Sequence, residues 1–359
     1  MPRRVRGTIL GKAADHAIHR NGRAFALVLS GVTGVHSVSD TKEAQVSSDV
    51  ATVFQANDQL SEAVVAPASR DADSAGVVHQ KTEAVLDLDD GGRALMQHVD
   101  KPDEMIGLGL DGADDLESVV LDPVSGIAAY ASPEEEFTYV PVLRDDGTVQ
   151  AHTVIDTPGA PTRFEYTVDI PEGGHLEMVG TSVLILDAQG DMVGGIAPAW
   201  AKDAVGNDVP THYEIDGATL TRVVEHDSSF AYPVTADPWL RINLFGHVYK
   251  DTYRDHPRVN ASLSAWGWSV YSGASVGGPA KGQQILNTSG LSEVLSRGQD
   301  IRDAFYGKAS MYAQYACHAL GAVAAGQWNL ERIRPNLTVP WTTNLANHRC
   351  NWNYSNGGV

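Results

Sequence analysis

Between residues 137 and 224, apolar and polar positions recur in short, evenly spaced runs cut by Gly- and Asp-containing turns. Phe137 to Leu143 and Thr148 to Ile155 are strand-like and flank Asp145-Asp146-Gly147, a hairpin-type turn. Arg163 to Ile170 alternates with period two and stops at Pro171-Glu172-Gly173-Gly174. Ser182 to Leu186, Met192 to Ile196, Thr211 to Ile215 and Ala218 to Val224 repeat the strand–turn–strand grammar. Strands spaced in this way predict an antiparallel β-sandwich-like domain over residues 105–237. Aspartates crowd its turns (Asp187, Asp191, Asp203, Asp208, Asp216). The calcium-loop spacing Asp-x-Asp-x-Asp-Gly is absent, so turn-forming side chains explain them better than a metal, and no metal site is expected.

On either side the pattern weakens or changes. Residues 38–104 are rich in Ser, Asp, Ala and Val and poor in aromatics, which predicts an acidic, partly ordered leader with a strand or two between Val77 and Val99. Residues 238–359 hold six of the seven tryptophans. There Arg241 to Phe245 and Ala261 to Tyr271 read as strands, and Leu291 to Arg297 and Ala309 to Ala325 as helices. In the last, Met311, Tyr315, Ala319 and Ala322 share one face. The fold expected is therefore mostly β with a smaller α+β part, the sandwich being followed by a small α+β module.

Charge sharpens these divisions. Residues 1–37 carry +5, residues 38–237 carry −29 and residues 238–359 carry +5, within a total of −19. The change of sign near Asp237-Pro238 marks a boundary. The total makes nucleic acid a poor partner, since phosphate contacts need clustered Lys and Arg. No apolar run approaches the roughly 20 residues of a membrane-crossing helix. Within residues 1–37, six basic residues precede the apolar stretch Ala24 to Leu29 and the compact exit Val35-His36-Ser37, the parts of a secretory signal. Cys317 and Cys350 are the only cysteines. In an exported chain they fit one disulfide; in a reducing compartment they would be two buried thiols.

Tyr315-Ala316-Cys317-His318, then Trp328-Asn329-Leu330-Glu331, Arg334-Pro335 and finally Arg349-Cys350-Asn351 resemble the tail of a secreted actinobacterial family with a C-terminal domain of unknown function. The likeness covers about residues 238–354; Trp352 stands where the family pattern has proline. It implies secretion and the Cys317–Cys350 bridge, and it implies no activity.

Several constellations could carry chemistry. Gly273-Ala274-Ser275-Val276-Gly277 has nucleophile-elbow spacing after a strand-like run, with Asp300 or Asp303 and His318 or His348 following in hydrolase order. A serine hydrolase of that type also needs parallel βαβ units upstream, which this pattern lacks. His318 could act as a base beside Glu331 and Arg334; a core histidine bonded to backbone or to Glu331 is the plainer reading. Arg332 and Arg334, flanked by Trp328 and Trp341, could clamp a carboxylate or stack on a sugar. The Gly277-to-Gly282 run lacks the Walker order, and no cofactor is expected. The function expected is that of a secreted binding protein at the cell envelope. Its contact surface would lie on the basic, Trp-rich module (Trp328, Arg332, Arg334, Trp341) and meet cell wall or another anionic envelope component. The alternative is a secreted hydrolase or effector using Ser275, or His318 with Glu331.

Overall fold

The computed structural model describes residues 69–71, 74–79, 81–122, 127–132, 134–321, 326–336 and 340–351. The export signal, the first part of the leader and Trp352 lie outside them. The strands in chain order are β1 (Ser69–Asp71), β2 (Ser74–His79), β3 (Thr82–Asp87), β4 (Arg93–His98), β5 (Lys101–Leu110), β6 (Glu117–Asp122) and β7 (Ile127–Ser132). Then come β8 (Phe137–Leu143), β9 (Val149–Ile155), β10 (Arg163–Asp169), β11 (His175–Val179), β12 (Ser182–Leu186), β13 (Met192–Ile196) and β14 (Trp200–Lys202). The last seven are β15 (Thr211–Asp216), β16 (Thr219–Val224), β17 (Val234–Asp237), β18 (Trp239–Arg241), β19 (Phe245–Tyr253), β20 (His256–Leu263) and β21 (Trp328–Glu331).

Two antiparallel sheets face one another. One runs β1-β2-β3-β4-β5-β10-β16-β15, and the other runs β11-β12-β13-β18-β9-β8-β7-β6, with β17 bridging β9 and β14. Their inner faces bury Leu86, Met96, Ile106 and Tyr166 against Tyr139, Val149, Ile185 and Leu240. Each element predicted between 137 and 224 is a strand here, because short apolar or alternating runs and the turn residues between them agree locally. At the β8–β9 turn, for example, Gly147 takes φ 75° and Asp146 Oδ1 accepts from the Thr148 backbone N–H at 3.1 Å. Asp187 and Asp203 shape turns in the same way, Asp187 accepting from Gln189 and Asp191 N–H and Asp203 from Val205 and Asn207 N–H, whereas Asp208 pairs with Lys202.

The described part of the leader, from Ser69 on, holds more strands than the one or two expected between Val77 and Val99. β1 to β4 lie within 38–104, and β5 crosses its end at residue 104 without interruption. Aliphatic side chains suffice: Ala75, Val77, Ala84, Leu86, Ala94 and Met96 are buried at alternate positions, so the sheet needs no aromatics there. At the other boundary, β18 pairs with both β13 and β9, so the second sheet extends past Pro238 to Arg241.

Beyond it stand a three-stranded sheet, β19-β20-β21, and six helices: α1 (Ala265–Ser272), α2 (Pro279–Ile285), α3 (Leu291–Ser296), α4 (Gln299–Phe305), α5 (Ala309–Gly321) and α6 (Trp341–His348). A π turn, Leu286–Gly290, joins α2 to α3. The strand expected from Ala261 to Tyr271 is instead the end of β20 followed by α1. Ser264 ends the strand by accepting from Gly267 N–H at 2.9 Å, an N-cap that switches the backbone to helix.

β12 serves two cores. Its Val183 and Ile185 point into the sandwich, whereas Leu184 and Leu186 join Trp266, Val270, Tyr315 and Trp328 in the second core. Burial on both faces explains why Val183-Leu184-Ile185-Leu186 is continuously apolar rather than alternating. Met192 N–H donates to Ser289 Oγ at 2.8 Å, and Ser182 N–H to the Ser275 carbonyl at 3.2 Å. The helical module is thus packed onto the sandwich.

Candidate functional site

Ser275 follows a helix, not a strand. α1 ends at Gly273, which takes φ 77° as its C-cap, and α2 begins only at Pro279. The strand–turn–helix geometry that exposes a nucleophile is therefore missing. Ser275 has no exposed surface, and its hydroxyl has no hydrogen-bond partner among the described residues.

His318 sits on α5 with its imidazole stacked on Trp328, centroids 5.5 Å apart. Burial holds the imidazole down at about 4, and the Asn351 side chain offsets only part of that shift. Its neighbour Cys317 is bonded to Cys350, with Cα atoms 5.4 Å apart and both sulfurs buried. The bridge ties α5 to the turn after α6. Metal ligation there is excluded for the cysteines, because a thiolate is needed. Among the described residues, no group of three or more His, Cys, Asp or Glu could hold a metal ion.

Glu331 and Arg334 do meet. Arg334 Nε donates to Glu331 Oε2 at 2.5 Å, and Nη2 closes on the same oxygen. The pair is buried at the end of β21, whose outer edge is closed by Gln314: its Oε1 accepts from Glu331 N–H at 2.8 Å, and its Nε2 donates to the Glu331 carbonyl at 3.1 Å. Ser310 Oγ donates to the Arg334 carbonyl at 3.0 Å. Both side chains are thus bound into the packing of α5 against β21.

The expected Trp-rich surface is corrected by the packing. None of the five described tryptophans of the module is exposed. Trp328 is wholly buried among Phe245, Tyr271 and Tyr315, its ring centroid 5.4 to 5.8 Å from each. Trp239 has the guanidinium of Arg241 over its ring at 3.1 Å and that of Arg144 at 4.9 Å. Trp341 is half-buried, its ring so close to Gly321 that a Cβ there would lie 2.5 Å from Cζ3. These large rings bring more apolar area into a small core than any other side chain, which is where they settle.

The aromatics that do face solvent are tyrosines: Tyr249 at 47%, Tyr306 at 82% and Tyr312 at 42% exposure. Tyr306 and Tyr312 flank Lys308, and Arg332 reaches the same corner, donating from Nη1 to the Ala304 carbonyl at 2.5 Å and the Tyr306 carbonyl at 3.1 Å. Of the four candidate binding residues, only Arg332 belongs to this exposed corner. Tyr306-Gly307-Lys308 carried a usable signal, an aromatic and a cation on either side of a turn glycine between two helical stretches. Comparisons with protein-family models, with curated proteins and with solved structures find no match for this chain.

Proposed function

We propose that this is a secreted, non-catalytic binding protein of the cell envelope, with the β-sandwich as scaffold and the C-terminal module as contact surface. The observation that carries the reading is the division of the module's polar side chains. Ser275, His318, Glu331 and Arg334 are buried and, where bonded, hold internal partners, whereas Tyr306, Tyr312, Lys308 and Arg332 gather at an outer corner. Two further facts support it: the +5 charge of residues 238–359 against the −29 of residues 38–237, and the buried disulfide. The family likeness of the Cys-His, Trp-Asn-Leu-Glu and Arg-Cys-Asn motifs adds secretion to the picture. Charge on this scale draws a partner in from solution and is screened within about 8–10 Å at ordinary salt.

The test uses the whole chain, since the module shares its core with β11 to β13. Purified protein is mixed with isolated cell wall across a salt series. Retention at low salt that declines as salt rises is expected, and absence of retention at the lowest salt overturns the proposal.

A further inference from the structure

At the corner between α4 and α5, two chain segments meet and bring Tyr306, Lys308, Tyr312 and Arg332 to one side of the module. Tyr306 ends α4, Gly307 turns the backbone at φ 65°, Lys308 follows, and Tyr312 lies one turn into α5 with its ring 5.1 Å edge-on from Phe305. Arg332 comes in from beyond β21. The two carbonyl bonds from its Nη1 clamp the guanidinium to the backbone that carries Tyr306. Its Nε and Nη2 have no acceptor among the described residues, so part of the fork is held in place and unused.

Among the described residues, no ion pair engages Lys308 or Arg332. Five of the module's six carboxylates are engaged elsewhere: Asp251 with Arg258, Glu293 with Arg297, Glu331 with Arg334, Asp300 with Lys250, and Asp303 with the Gln299 amide. The sixth, Asp255, is at the β19–β20 turn, and no ion pair joins it to Lys308 or Arg332 among the described residues. Partial burial, and then the charge of Arg332, push the Lys308 ammonium below its ordinary value. Two like charges set side by side disfavour each other, and an anion placed between them relieves both.

We propose that this corner binds an acidic polysaccharide, with a carboxylate between Lys308 and the free edge of Arg332 and a sugar ring against Tyr306 or Tyr312. The inference rests on the envelope-binding reading above and names the chemistry of its ligand. A guanidinium fork matches a carboxylate in plane and spacing, which a point charge does not. Exposed tyrosine rings offer the flat apolar face that the C–H side of a sugar covers, while the phenol stays in water. A phospholipid surface would need a broad apolar face as well as cations, and the corner has only two separated rings.

The experiment measures binding of the full-length protein to polygalacturonate, with the neutral methyl ester of that polymer as control, by calorimetry at low salt. The parent protein binds the acid form and binds the ester roughly tenfold more weakly. Tyr306→Ser, at the surface, and Lys308→Glu, half-buried, each weaken binding roughly tenfold with an unchanged melting temperature. Arg332→Lys keeps the charge, loses the fork and also weakens it. Equal binding of acid and ester, no binding of the acid form, or a Lys308→Glu variant within about twofold of the parent overturns the inference. If the parent is retained on cell wall while ignoring polygalacturonate, the ligand class fails and the envelope reading survives. If it binds polygalacturonate but not cell wall, the reverse holds.

Discussion

His318 lies flat on Trp328, the two ring planes inclined by only 13°. The contact turns a side chain often used for proton transfer into part of an aromatic core built around the indole. Phe245, Tyr271 and Tyr315 meet the same indole edge-on, so four rings converge on one tryptophan.

Truncating that indole removes the centre of the second core. Trp328→Ala is expected to destabilise the protein by about 3–5 kcal/mol, read from the shift of a urea unfolding midpoint. A cost under 1 kcal/mol would mean that the core packs around something else.

Acid should weaken the fold through its buried histidines. Burial lowers His318 and His98 to about 4 and His152 to about 3. Below about 6.5 the unfolded chain takes up protons that these folded imidazoles refuse, so stability falls as pH drops from about 6.5 toward 4 and then levels off. His79 is lowered by burial too, while Asp237, pushed up to about 6 by burial, and Glu293, also raised by burial, work in the opposite direction, two carboxyls against four imidazoles. His318→Gln should recover about 2 kcal/mol of the loss between pH 7 and pH 5. Urea melts at those two pH values decide it: an unchanged difference between them shows that His318 titrates normally.

The disulfide closes a loop with a sequence separation of 33 between its cysteines. Chain entropy sets its contribution at roughly 3–4 kcal/mol. Cys317→Ser with Cys350→Ser should lower the unfolding free energy by that amount and make the transition insensitive to dithiothreitol, while the parent loses a similar amount on reduction. Equal stability of the parent with and without reductant would show that α5 and the turn after α6 are held by packing alone.

Arg297 and Glu293 form a buried pair that organises the link between sandwich and module. Glu293 accepts from Leu244 N–H at 2.7 Å and Phe245 N–H at 3.0 Å, and Arg297 Nη2 donates to Glu293 Oε1 at 2.5 Å and to the Asn243 amide oxygen at 2.9 Å. Arg297→Met strands the carboxylate and should cost about 3–5 kcal/mol. Replacing both residues, Glu293→Gln with Arg297→Met, should cost less than the sum of the single changes. Additive losses in a double-mutant cycle would show that the two do not act as a pair.

Much of the sandwich was legible in residue order because its information is local. Phe137 to Ile155 forms a hairpin for reasons confined to those residues: alternation puts Tyr139 and Val149 inward, and Asp146-Gly147 supplies the turn. The α5 face of Met311, Tyr315 and Ala319 followed equally from helical spacing. In the run from Ala261 to Tyr271, which alternates like a strand, a single cap at Ser264 decides between strand and helix.

Residue order by itself thus determined the strands of the sandwich and the long helix, and left Cys317 and Cys350 open between a bridge and two thiols, which the structure joins. Only the tertiary structure decided that β12 lends one face to each core, that Trp266 and Trp328 go inward with Tyr271 and Tyr315 while Tyr249, Tyr306 and Tyr312 stay outward, and that Ser275 and His318 are buried while Lys308 and Arg332 share a corner. Those outcomes depend on which surfaces meet across long stretches of chain. A tryptophan's pull toward the interior is the same whether or not a partner face exists, and the partner here, β11 to β13, lies some way back in the sequence.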